Sequence, residues 1–359
     1  MDKVTEQMKK LTELDGISGD EREVGRELEN LLAPHADEVV RDRLGSVFGK
    51  KAGKVSGPKI LLAGHLDEVG FMVTQITEGG YLRFTPVGGW WSHNLLSQRV
   101  AVRTEQGKLL GLIGSKAPHL LTNEERAKVI LLKELFVDIG ASSRAEAEEM
   151  GVRVGDPVSP VSEFTTLRNG ELWMGKALDN RAGCLLAAEV LRRLSEEGIS
   201  HPNEVYAGGT VQEEVGLRGA ATAARMIEPD IAFALDVCTS YDTPGMESYA
   251  GSCGIGKGPV LSVLDSTMIA HRGLLKLVTD TAKELSIPLQ FETSMAGGTD
   301  AGRFHINGAG CPSLALGFAV RYLHSHNSVM AKQDFEQAAD LMVAVIRKLD
   351  RTAVEAILR

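Results

Sequence analysis

The chain has 359 residues, of which 43% are hydrophobic and 24% are charged, and its formal net charge at pH 7 is −9. Because this length exceeds the usual size of one hydrophobic core, we expect one large domain or two smaller ones. The net negative charge and the lack of a long run of Lys and Arg argue against a nucleic-acid partner. The sequence contains no run of about eighteen apolar residues, so we predict no membrane span.

The cysteines are scattered along the chain without CxxC spacing, at Cys184, Cys238, Cys253 and Cys311. This distribution is typical of buried thiols in a reducing compartment, and not of a disulfide framework or a zinc ribbon. The first residues show an amphipathic helical pattern and no apolar signal core. We therefore predict a cytoplasmic protein.

The first seventy residues show an α/β pattern. Apolar side chains at helical spacing predict a helix over residues 4–14. A second predicted helix ends near residue 32, with Ser18 or Asp20 as its cap. A strand is predicted over residues 39–47, where apolar and polar residues alternate loosely.

A second strand is predicted at residues 60–63, a continuous apolar run that leads to His65. A run that is apolar on both faces is what a central strand of a covered sheet requires. We therefore expect His65 to lie at the carboxyl end of a buried strand.

The pattern changes between residues 71 and 164, where short β-like runs alternate with tight turns around one acidic helix. The runs cover 71–76, 81–86, 99–104, 108–113 and 157–161, and the helix covers 143–150. Many short strands with tight turns predict a small barrel or another β-rich module. We therefore predict a discontinuous α/β domain of residues 1–70 and 165–359, interrupted by an inserted β-rich domain of residues 71–164.

The α/β pattern returns after residue 165. Predicted helices cover 180–194, 219–226 and 271–285, with a C-terminal helix from about 333, and predicted strands lie around Val205 and at 231–235, 288–292 and 313–318. A glycine-rich segment lies around residues 251–258, and a Gly-Gly-Thr-Asp turn lies at residues 297–301. The predicted fold class is α/β.

Two adjacent carboxylates, Glu213 and Glu214, follow the strand around Val205 and precede a glycine-punctuated turn. Adjacent acids repel each other, so such a pair at the mouth of a strand needs either open water or a cation. Two solvated acids in a loop are the simpler interpretation. Our hypothesis is a cation, with one glutamate binding a metal and the other handling a proton.

Four further residues of metal-binding types lie near the ends of predicted strands: His65, Asp179, Asp236 and His324. Asp179 lies between a strand and a helix. Each has an ordinary explanation on its own, since a histidine at a strand end is often a satisfied polar residue and Asp179 can cap a helix. In an open α/β sheet, however, the carboxyl ends of the strands form one crevice, which would gather these residues with Glu214. Two histidines and three carboxylates suit a pair of zinc-like ions, with one carboxylate bridging them.

Two acidic residues are assigned other tasks. Asp67 lies two residues after His65 and therefore points to the same side of an extended chain, where it can accept the second imidazole N–H. Glu213 lies beside Glu214 and would take the proton of a water molecule between the metals. The predicted reaction is metal-assisted hydrolysis, in particular of an amide.

Five short motifs resemble those of the M42 family of metallo-aminopeptidases, which includes glutamyl aminopeptidase-like enzymes and the tetrahedral TET peptidases. They are Gly64-His-Leu-Asp-Glu-Val-Gly70, Ala177-Leu-Asp-Asn-Arg-Ala-Gly183, Gln212-Glu-Glu-Val-Gly216, Ala234-Leu-Asp236 and Arg321-Tyr-Leu-His-Ser325. The motifs occur in the family's order and span nearly the whole chain. The resemblance implies a mixed-sheet α/β/α metallopeptidase domain whose insertion is a PDZ-like dimerisation domain.

The resemblance also implies cofactors, residue roles and partners. The cofactors are two divalent metal ions per subunit, either zinc or cobalt. The implied roles are His65 and Asp236 on one metal, Glu214 and His324 on the other, Asp179 as the bridge and Glu213 as the general base. The implied activity is removal of N-terminal residues from peptides by dimers that assemble into hollow dodecamers, with the active sites facing an inner chamber.

Several residues keep two interpretations. His326 can replace His324 as a ligand, although the family pattern favours His324. His93 and His119 lie in the inserted block, which carries no carboxylate cluster, and are assigned to structure or assembly.

Two further segments also keep two interpretations. The pair Trp90-Trp91 is either an oligomer contact or part of the local core. The turn at residues 297–301 resembles the family and is expected to line the substrate pocket, whereas the simpler interpretation is a tight turn with Asp300 as a helix cap.

Three rival functions are kept beside the aminopeptidase. A carboxypeptidase or a deacylase with two metals would use the same kind of ligand set. An endoglucanase, a label given to some relatives, generally needs two carboxylates around an oxocarbenium ion and no metal. A catalytically silent assembly scaffold would have no need of Glu213.

Overall fold

The computed structural model describes residues 1–247 and 253–359. In chain order the strands of these residues are β1 (Glu38–Arg41), β2 (Val47–Ala52), β3 (Lys59–His65), β4 (Gly70–Ile76), β5 (Leu82–Val87), β6 (Arg99–Thr104), β7 (Gly107–Gly114), β8 (Phe136–Asp138), β9 (Pro157–Pro160), β10 (Thr165–Leu167), β11 (Leu172–Gly175), β12 (Glu204–Thr210), β13 (Ile231–Thr239), β14 (Val260–Leu264), β15 (Gln290–Thr293), β16 (Ser313–Val320) and β17 (Ser328–Ala331). The glycine-rich segment predicted around residues 251–258 begins outside the described residues.

The helices lie mostly before, between and after the strands of the α/β part. They are α1 (Lys3–Glu13), α2 (Arg22–Leu32), α3 (Asn123–Arg126), α4 (Arg144–Glu149), α5 (Leu178–Glu196), α6 (Arg218–Ile227), α7 (Arg272–Glu284), α8 (Ala301–Phe304), α9 (Lys332–Lys348) and α10 (Arg351–Ile357). Across the described chain, none of these helices combines the length and the apolar character that a bilayer crossing needs.

A mixed sheet of eight strands forms the centre of the described structure, in the order β1-β2-β12-β3-β13-β16-β14-β15. Strands β12, β3, β13 and β16 run parallel to one another, whereas β2 and β14 flank this group in antiparallel pairing. β3 is buried from its second residue onward and β16 is buried throughout. This burial explains why both strands are apolar on both faces, and the arrangement confirms the α/β prediction.

Helices cover both faces of this sheet. α5 packs along β3, β12 and β13, whereas α8 contacts β13 and β16. The two helices lie on opposite faces, because a Cβ on Gly209 would meet the Cys184 thiol of α5 while the next residue, Thr210, hydrogen-bonds Asp300 at the start of α8. The sheet is therefore the middle layer of three.

Two glycines let α5 approach the strands closely. A Cβ on Gly64 would lie 2.3 Å from the amide nitrogen of Cys184, and a Cβ on Gly183 would lie 1.9 Å from the carbonyl oxygen of Leu235. Real Cβ atoms do not approach so closely, so only glycine fits at either position. The glycines thus bring the first turn of α5, with Asp179, against the ends of β3 and β13.

The six strands β4 to β9 form a closed barrel in the order β4-β5-β8-β7-β6-β9. The barrel has a hydrophobic core of its own, which includes Phe71, Phe84, Val100, Val137 and Val158. Closure leaves no free sheet edge, which suits a module built from short strands. The predicted small barrel is therefore present, although β8 was not predicted because it has only three residues.

Three local expectations were wrong. α2 has Glu21 at its N-cap position, because Ser18 donates instead to Asp67 and Asp20 pairs with Arg103. The strand expected over residues 39–47 is two antiparallel strands, β1 and β2, since Asp42 Oδ1 accepts the backbone N–H groups of residues 44, 45 and 46 and turns the chain. β13 extends through Asp236 to Thr239, because β16 continues to pair with it there.

Ion pairs connect the barrel to α2 and to the segment between α1 and α2. Lys108 of β7 lies 2.8 Å from Asp15, and Arg103 of β6 lies 2.8 Å from Glu23. Asp15 also accepts from the buried Lys176 at 2.8 Å, and Lys176 in turn pairs with Glu68 at 2.8 Å. The barrel is therefore linked, through Asp15 and Lys176, to Glu68 in the segment after His65. The barrel and the α/β part share this one polar network.

Replacing Gly183 by alanine is expected to destabilise the protein by about 3 kcal/mol, because α5 must shift away from the Leu235 carbonyl to make room for the methyl group. Urea unfolding measures the change. Gly297→Ala is the matched control, since a Cβ there meets nothing within 4 Å, and its effect should stay within about 0.5 kcal/mol. Equal stability of the two variants would show that the close approach does not constrain the fold.

Candidate metal centre

The buried carboxylate of Asp67 organises the loop that carries Glu213 and Glu214. Its Oδ1 accepts the backbone N–H of Glu213 at 3.0 Å, and its Oδ2 accepts the backbone N–H of Glu214 at 3.1 Å and the hydroxyl of Ser18 at 2.6 Å. These bonds to a charged acceptor fix the backbone of both glutamates. Burial works against the charge of Asp67, but interactions with His65, Ser18 and the Glu213 amide outweigh it and lower the pKa of Asp67.

A second buried carboxylate, Glu21, extends this support by one residue. Its Oε1 accepts the backbone N–H of Gln212 at 3.1 Å and that of Gly19 at 2.7 Å. Gln212 itself has a left-handed backbone, with φ of 56°, a conformation that the surrounding contacts must hold in place. Three consecutive amides, from Gln212 to Glu214, are thus bound by two carboxylates from the segment before β4.

His65 ends β3 and is 2% exposed. Its Nδ1 lies 2.9 Å from the backbone carbonyl of Asp67 and 3.6 Å from the Asp67 carboxylate. Because a carbonyl can only accept, Nδ1 carries a hydrogen and Nε2 faces the site, 3.0 Å from Asp179 Oδ1. The expected acceptor for the second imidazole N–H was the Asp67 carboxylate, but the carbonyl of the same residue is the nearer one.

His324 repeats this arrangement with a contact from the barrel block. Its Nδ1 lies 2.8 Å from the carbonyl of Gly89, and its Nε2 lies 3.4 Å from Glu214 Oε1 and 3.5 Å from Asp179 Oδ2. The backbone of His324 is left-handed, with φ of 52°. The block between β4 and β9 therefore contributes directly to the site, a contact that no sequence motif indicates.

Asp179 and Asp236 reach the site because α5 and β13 meet there. Asn180 donates to the carbonyl of Leu235 at 2.8 Å and accepts from the Gly183 amide at 2.8 Å, which fastens the start of α5 beside Asp236. β13 loses its pairing with β3 after Ala234. The crevice therefore opens where Asp236 follows, as expected for the carboxyl ends of parallel strands.

Five side chains form two groups that share Asp179. Ligand atoms of His65, Asp179 and Asp236 lie within 4.8 Å of one another, and so do those of Asp179, Glu214 and His324. A third group of the same size combines His65, Glu213 and Glu214. The five residues predicted as metal ligands are thus brought together by the fold.

The charge state of these side chains indicates a site built for cations. Burial works against protonation of the imidazoles, but the neighbouring carboxylates outweigh it and raise the pKa of His324 to about 11 and that of His65 well above its ordinary value. Burial, with His65 opposing and neighbouring carboxylates adding, raises the pKa of both Glu213 and Asp236. These shifts show how strongly the carboxylates and the two imidazoles interact in this buried space.

One buried oxygen supports the same interpretation. Glu214 Oε1 is buried and makes no hydrogen bond, and His324 Nε2 lies 3.4 Å from it. A buried carboxylate oxygen without a hydrogen bond is costly. Imidazole nitrogens and carboxylate oxygens are ligands that zinc and similar ions prefer. The residues present therefore fit a site for divalent metal ions.

The site opens into a cavity of about 540 Å³. Residues 297–299 of the Gly-Gly-Thr-Asp turn line it, together with Leu217 and Leu323. Asp300 occupies the N-cap position of α8 but makes no cap bond; it is buried and accepts from Thr210 instead. The turn thus borders the cavity, whereas Asp300 is hydrogen-bonded to Thr210 of β12.

The remaining histidines lie apart from the two groups. His326 is buried with Nε2 3.1 Å from the carbonyl of Arg99, and burial lowers its pKa to about 4. His93 and His119 are exposed in the barrel block. Within the described chain, none of the three belongs to a group able to hold a metal.

The two adjacent tryptophans have different environments. Trp90 is packed against Phe71, with ring centroids 4.8 Å apart, and donates to the carbonyl of Gly70 at 3.1 Å. Trp91 is 60% exposed and stacks on His93. Trp90 is therefore local core, while Trp91 stays available for an oligomer contact.

The sequence did not reveal four buried or half-buried polar residues around the site, Ser18, Glu21, Asp265 and Glu292. Glu21 was overlooked because it lies in a predicted helix start, and Ser18 was assigned to a cap. Asp265 and Glu292, which also line the cavity, come from a turn and an edge strand without any local motif. For Ser18 and Glu21, the available sequence signal was Gly19, which lies among polar residues before α2.

Comparisons with known proteins agree over the whole chain. The sequence profile of the family described as M42 glutamyl aminopeptidase matches residues 45–341. The FrvX protein of Escherichia coli (strain K12) is 41% identical over 352 residues, which cover 98% of this chain and 97% of FrvX.

Two solved structures are also similar. The TET aminopeptidase from the marine sediment archaeon Thaumarchaeota archaeon SCGC AB-539-E09 superposes with a TM-score of 0.96 at 47% identity, covering 99% of each chain. The TET1 peptidase of Pyrococcus horikoshii, which can assemble into a tetrahedron or a large octahedral shell, has a TM-score of 0.84 at 34% identity, covering 96% of this chain and 100% of its own.

The titration of Glu21 gives a testable pH dependence. Burial, with the Asp67 charge adding, raises its pKa from 4.5 to about 7, so the folded protein keeps a proton that the unfolded chain releases. Stability therefore falls as pH rises between these two values. Glu21→Gln removes this loss and keeps an acceptor for the two amides, so its stability relative to wild type should rise by about 2 kcal/mol between pH 5 and pH 8.

Urea unfolding at the two pH values measures this difference. Glu355→Gln, on the exposed face of α10, is the matched control and should track wild type at both pH values. A pH-independent difference between Glu21→Gln and wild type would contradict the assignment.

Proposed function

The chain belongs to the M42 glutamyl aminopeptidase family, and we propose that it is a dinuclear metal-dependent aminopeptidase that removes N-terminal residues from peptides. The observation that carries this proposal is the position of Asp179. Its two oxygens face two different histidines, His65 at 3.0 Å and His324 at 3.5 Å. A carboxylate between two imidazole–carboxylate groups is the arrangement that a pair of ions requires.

The proposed ligands follow from the two groups that share Asp179. His65 and Asp236 would hold one ion, Glu214 and His324 would hold the other, and Asp179 would bridge them. Bound at this place, the two ions would acidify a water molecule and polarise the carbonyl of the scissile amide. Zinc and cobalt both bind imidazole and carboxylate ligands, so this ligand set is compatible with either metal.

Glu213 is proposed as the general base. Its Oε2 lies 3.9 Å from His65 Nε2, so it borders the ligand groups without a hydrogen bond to them. Burial, opposed by His65 and reinforced by Asp236 and Glu214, raises the pKa of Glu213 well above its ordinary value. A carboxyl with a raised pKa can accept a proton from the nucleophilic water and return it to the leaving amine.

Asp67 is proposed as a positioning residue for this chemistry. It holds the amides of Glu213 and Glu214 through separate oxygens, so it sets the relative orientation of the base and the ligand. Asp67 touches neither substrate nor metal in this scheme. It acts by fixing the loop and, through its carbonyl, the tautomer of His65.

The proposed organisation has a catalytic domain of residues 1–70 and 165–359 and an inserted domain of residues 71–164 that mediates self-association. Its support is the apolar outer surface of the barrel block, where five large side chains are 44–70% exposed: Leu110, Leu112, Leu120, Val129 and Leu131. Dimers formed there would build a dodecamer. The free, buried cysteines agree with the proposed cytoplasmic location.

Glu213→Gln is expected to lower kcat about 10²- to 10⁴-fold because the variant cannot accept the proton. Its metal content should stay at about two divalent ions per chain. The measurement combines elemental analysis with a panel of aminoacyl anilides and their N-acetylated forms. Only the forms with a free amino group should be cleaved by wild type.

The neighbouring substitution Glu214→Gln is the matched comparison, since it should lose metal as well as activity. Full activity in Glu213→Gln would refute the proposed base. Cleavage of the acetylated forms alone would replace the aminopeptidase by a deacylase, and chelator-resistant release of sugars would replace it by a glycosidase.

Leu110→Glu is expected to break the self-association, because it places a charge on the exposed apolar face of β7, where Leu110 is 68% exposed. Sedimentation velocity should show a shift to smaller species. Val55→Glu makes the same change at a site 62% exposed outside the barrel and should leave the sedimentation pattern unchanged. An unaltered pattern in Leu110→Glu would move the interface elsewhere.

A further inference from the structure

The cavity beside the metal centre contains a second pair of carboxylates, Asp265 and Glu292. They come from the turn after β14 and from β15, which is the edge strand next to β14. In the described residues, neither acid belongs to a group able to hold a metal, and neither forms an ion pair. The pair therefore needs an explanation separate from the two metal ions.

Asp265 uses one of its oxygens and leaves the other free. Oδ1 accepts from the Thr267 amide at 2.6 Å, the Thr267 hydroxyl at 2.7 Å and the Met268 amide at 2.8 Å, which builds the turn. Oδ2 is buried without a partner, and the residue is only 7% exposed. A turn needs only Oδ1, so the unpartnered Oδ2 is available to a ligand.

Glu292 lies close enough to Asp265 for the two charges to interact. Burial and then the charge of Asp265 raise the pKa of Glu292 to about 7. No basic side chain contributes to this shift. Two like charges that share a cavity wall without a cation are unfavourable, and a bound cation would relieve the repulsion.

The rest of the cavity supplies no such cation. Its lining, among the described residues, holds six carboxylates and two histidines but no lysine or arginine. Two divalent ions would offset the charges of the four acids at the metal centre. The uncompensated charge therefore lies at Asp265 and Glu292, where a positively charged group would be stabilised.

We propose that Asp265 and Glu292 form a subsite for a cationic side chain, so that the enzyme prefers peptides with N-terminal lysine or arginine. This inference rests on the proposed aminopeptidase function and names its substrate class. The competing assignment is that the two acids bind the α-amino group, which every peptide substrate carries. The two assignments differ in whether the side-chain charge matters.

The test compares lysyl anilide with norleucyl anilide, which has the same carbon chain without the ε-amino group. Wild type should cleave the lysyl substrate with kcat/KM about 10- to 100-fold higher, as expected for a hydrogen-bonded charge. Glu292→Gln and Asp265→Asn, which keeps the turn-building acceptor, should lower the lysyl value by at least about tenfold. Their norleucyl values should stay within about twofold of wild type.

Binding gives a second readout that does not depend on turnover. Calorimetry with free L-lysine and L-norleucine should show tighter binding of lysine to wild type and equal binding of the two to Glu292→Gln. Glu355→Gln is the control for a lost surface charge, and it should behave as wild type in both assays.

Equal lysyl and norleucyl values in wild type would overturn the inference. A parallel loss on both substrates in Glu292→Gln would overturn it too, since that result assigns the acids to the α-amino group. If metal-loaded wild type cleaves no anilide, the proposed function fails, and calorimetry alone decides the subsite. Lysine binding that Glu292→Gln abolishes would then support the subsite, and unchanged binding would refute it.

Discussion

The loop that carries Glu213 and Glu214 depends on the carboxylate of Asp67, which accepts the backbone N–H groups of these two residues with different oxygens. Adjacent glutamates would otherwise repel each other and turn to solvent. With both amides bound, one side chain faces His324 at 3.4 Å and the other stays 3.9 Å from His65. The different positions of these two identical side chains thus arise from backbone constraint. Glu21 and Ser18 hold the same loop and the same carboxylate, so the segment before α2 is part of the centre.

The site requires many acidic side chains to be buried together, which is unfavourable for the folded protein. The cavity lining of the described chain holds acids without a lysine or arginine, and several backbone positions beside it, Ala177, Gln212 and His324, have left-handed φ values. Such features persist only when surrounding contacts enforce them. Gly64 and Gly183 supply the close packing, and the ion pairs of Asp15 with Lys108 and Lys176 attach the barrel behind the site. Gly89 of the barrel block then orients His324.

Much of the site could be predicted because strand ends are visible in a sequence. Apolar runs located β3, β13 and β16, and parallel strands converge at one edge, so His65, Asp236 and His324 could be grouped. Contacts between distant segments could not be predicted. The Asp67 bonds to the 213–214 amides depend on tertiary packing, as does the Gly89 carbonyl contact. β8 could not be predicted because its three residues are too few to show an alternation of apolar and polar side chains. Asp265 and Glu292 lie on separate elements and share no sequence motif.

The central claim is that the pair is divided, with Glu214 on a metal and Glu213 off it. The most direct measurement is a crystal structure of the protein loaded with zinc or cobalt, with anomalous scattering locating the ions. We expect two ions bridged by Asp179, with Glu214 within bonding distance of one of them, roughly 2.0–2.2 Å, and Glu213 bonded to neither. A structure with both glutamates bound to metal, or with neither bound, would contradict it.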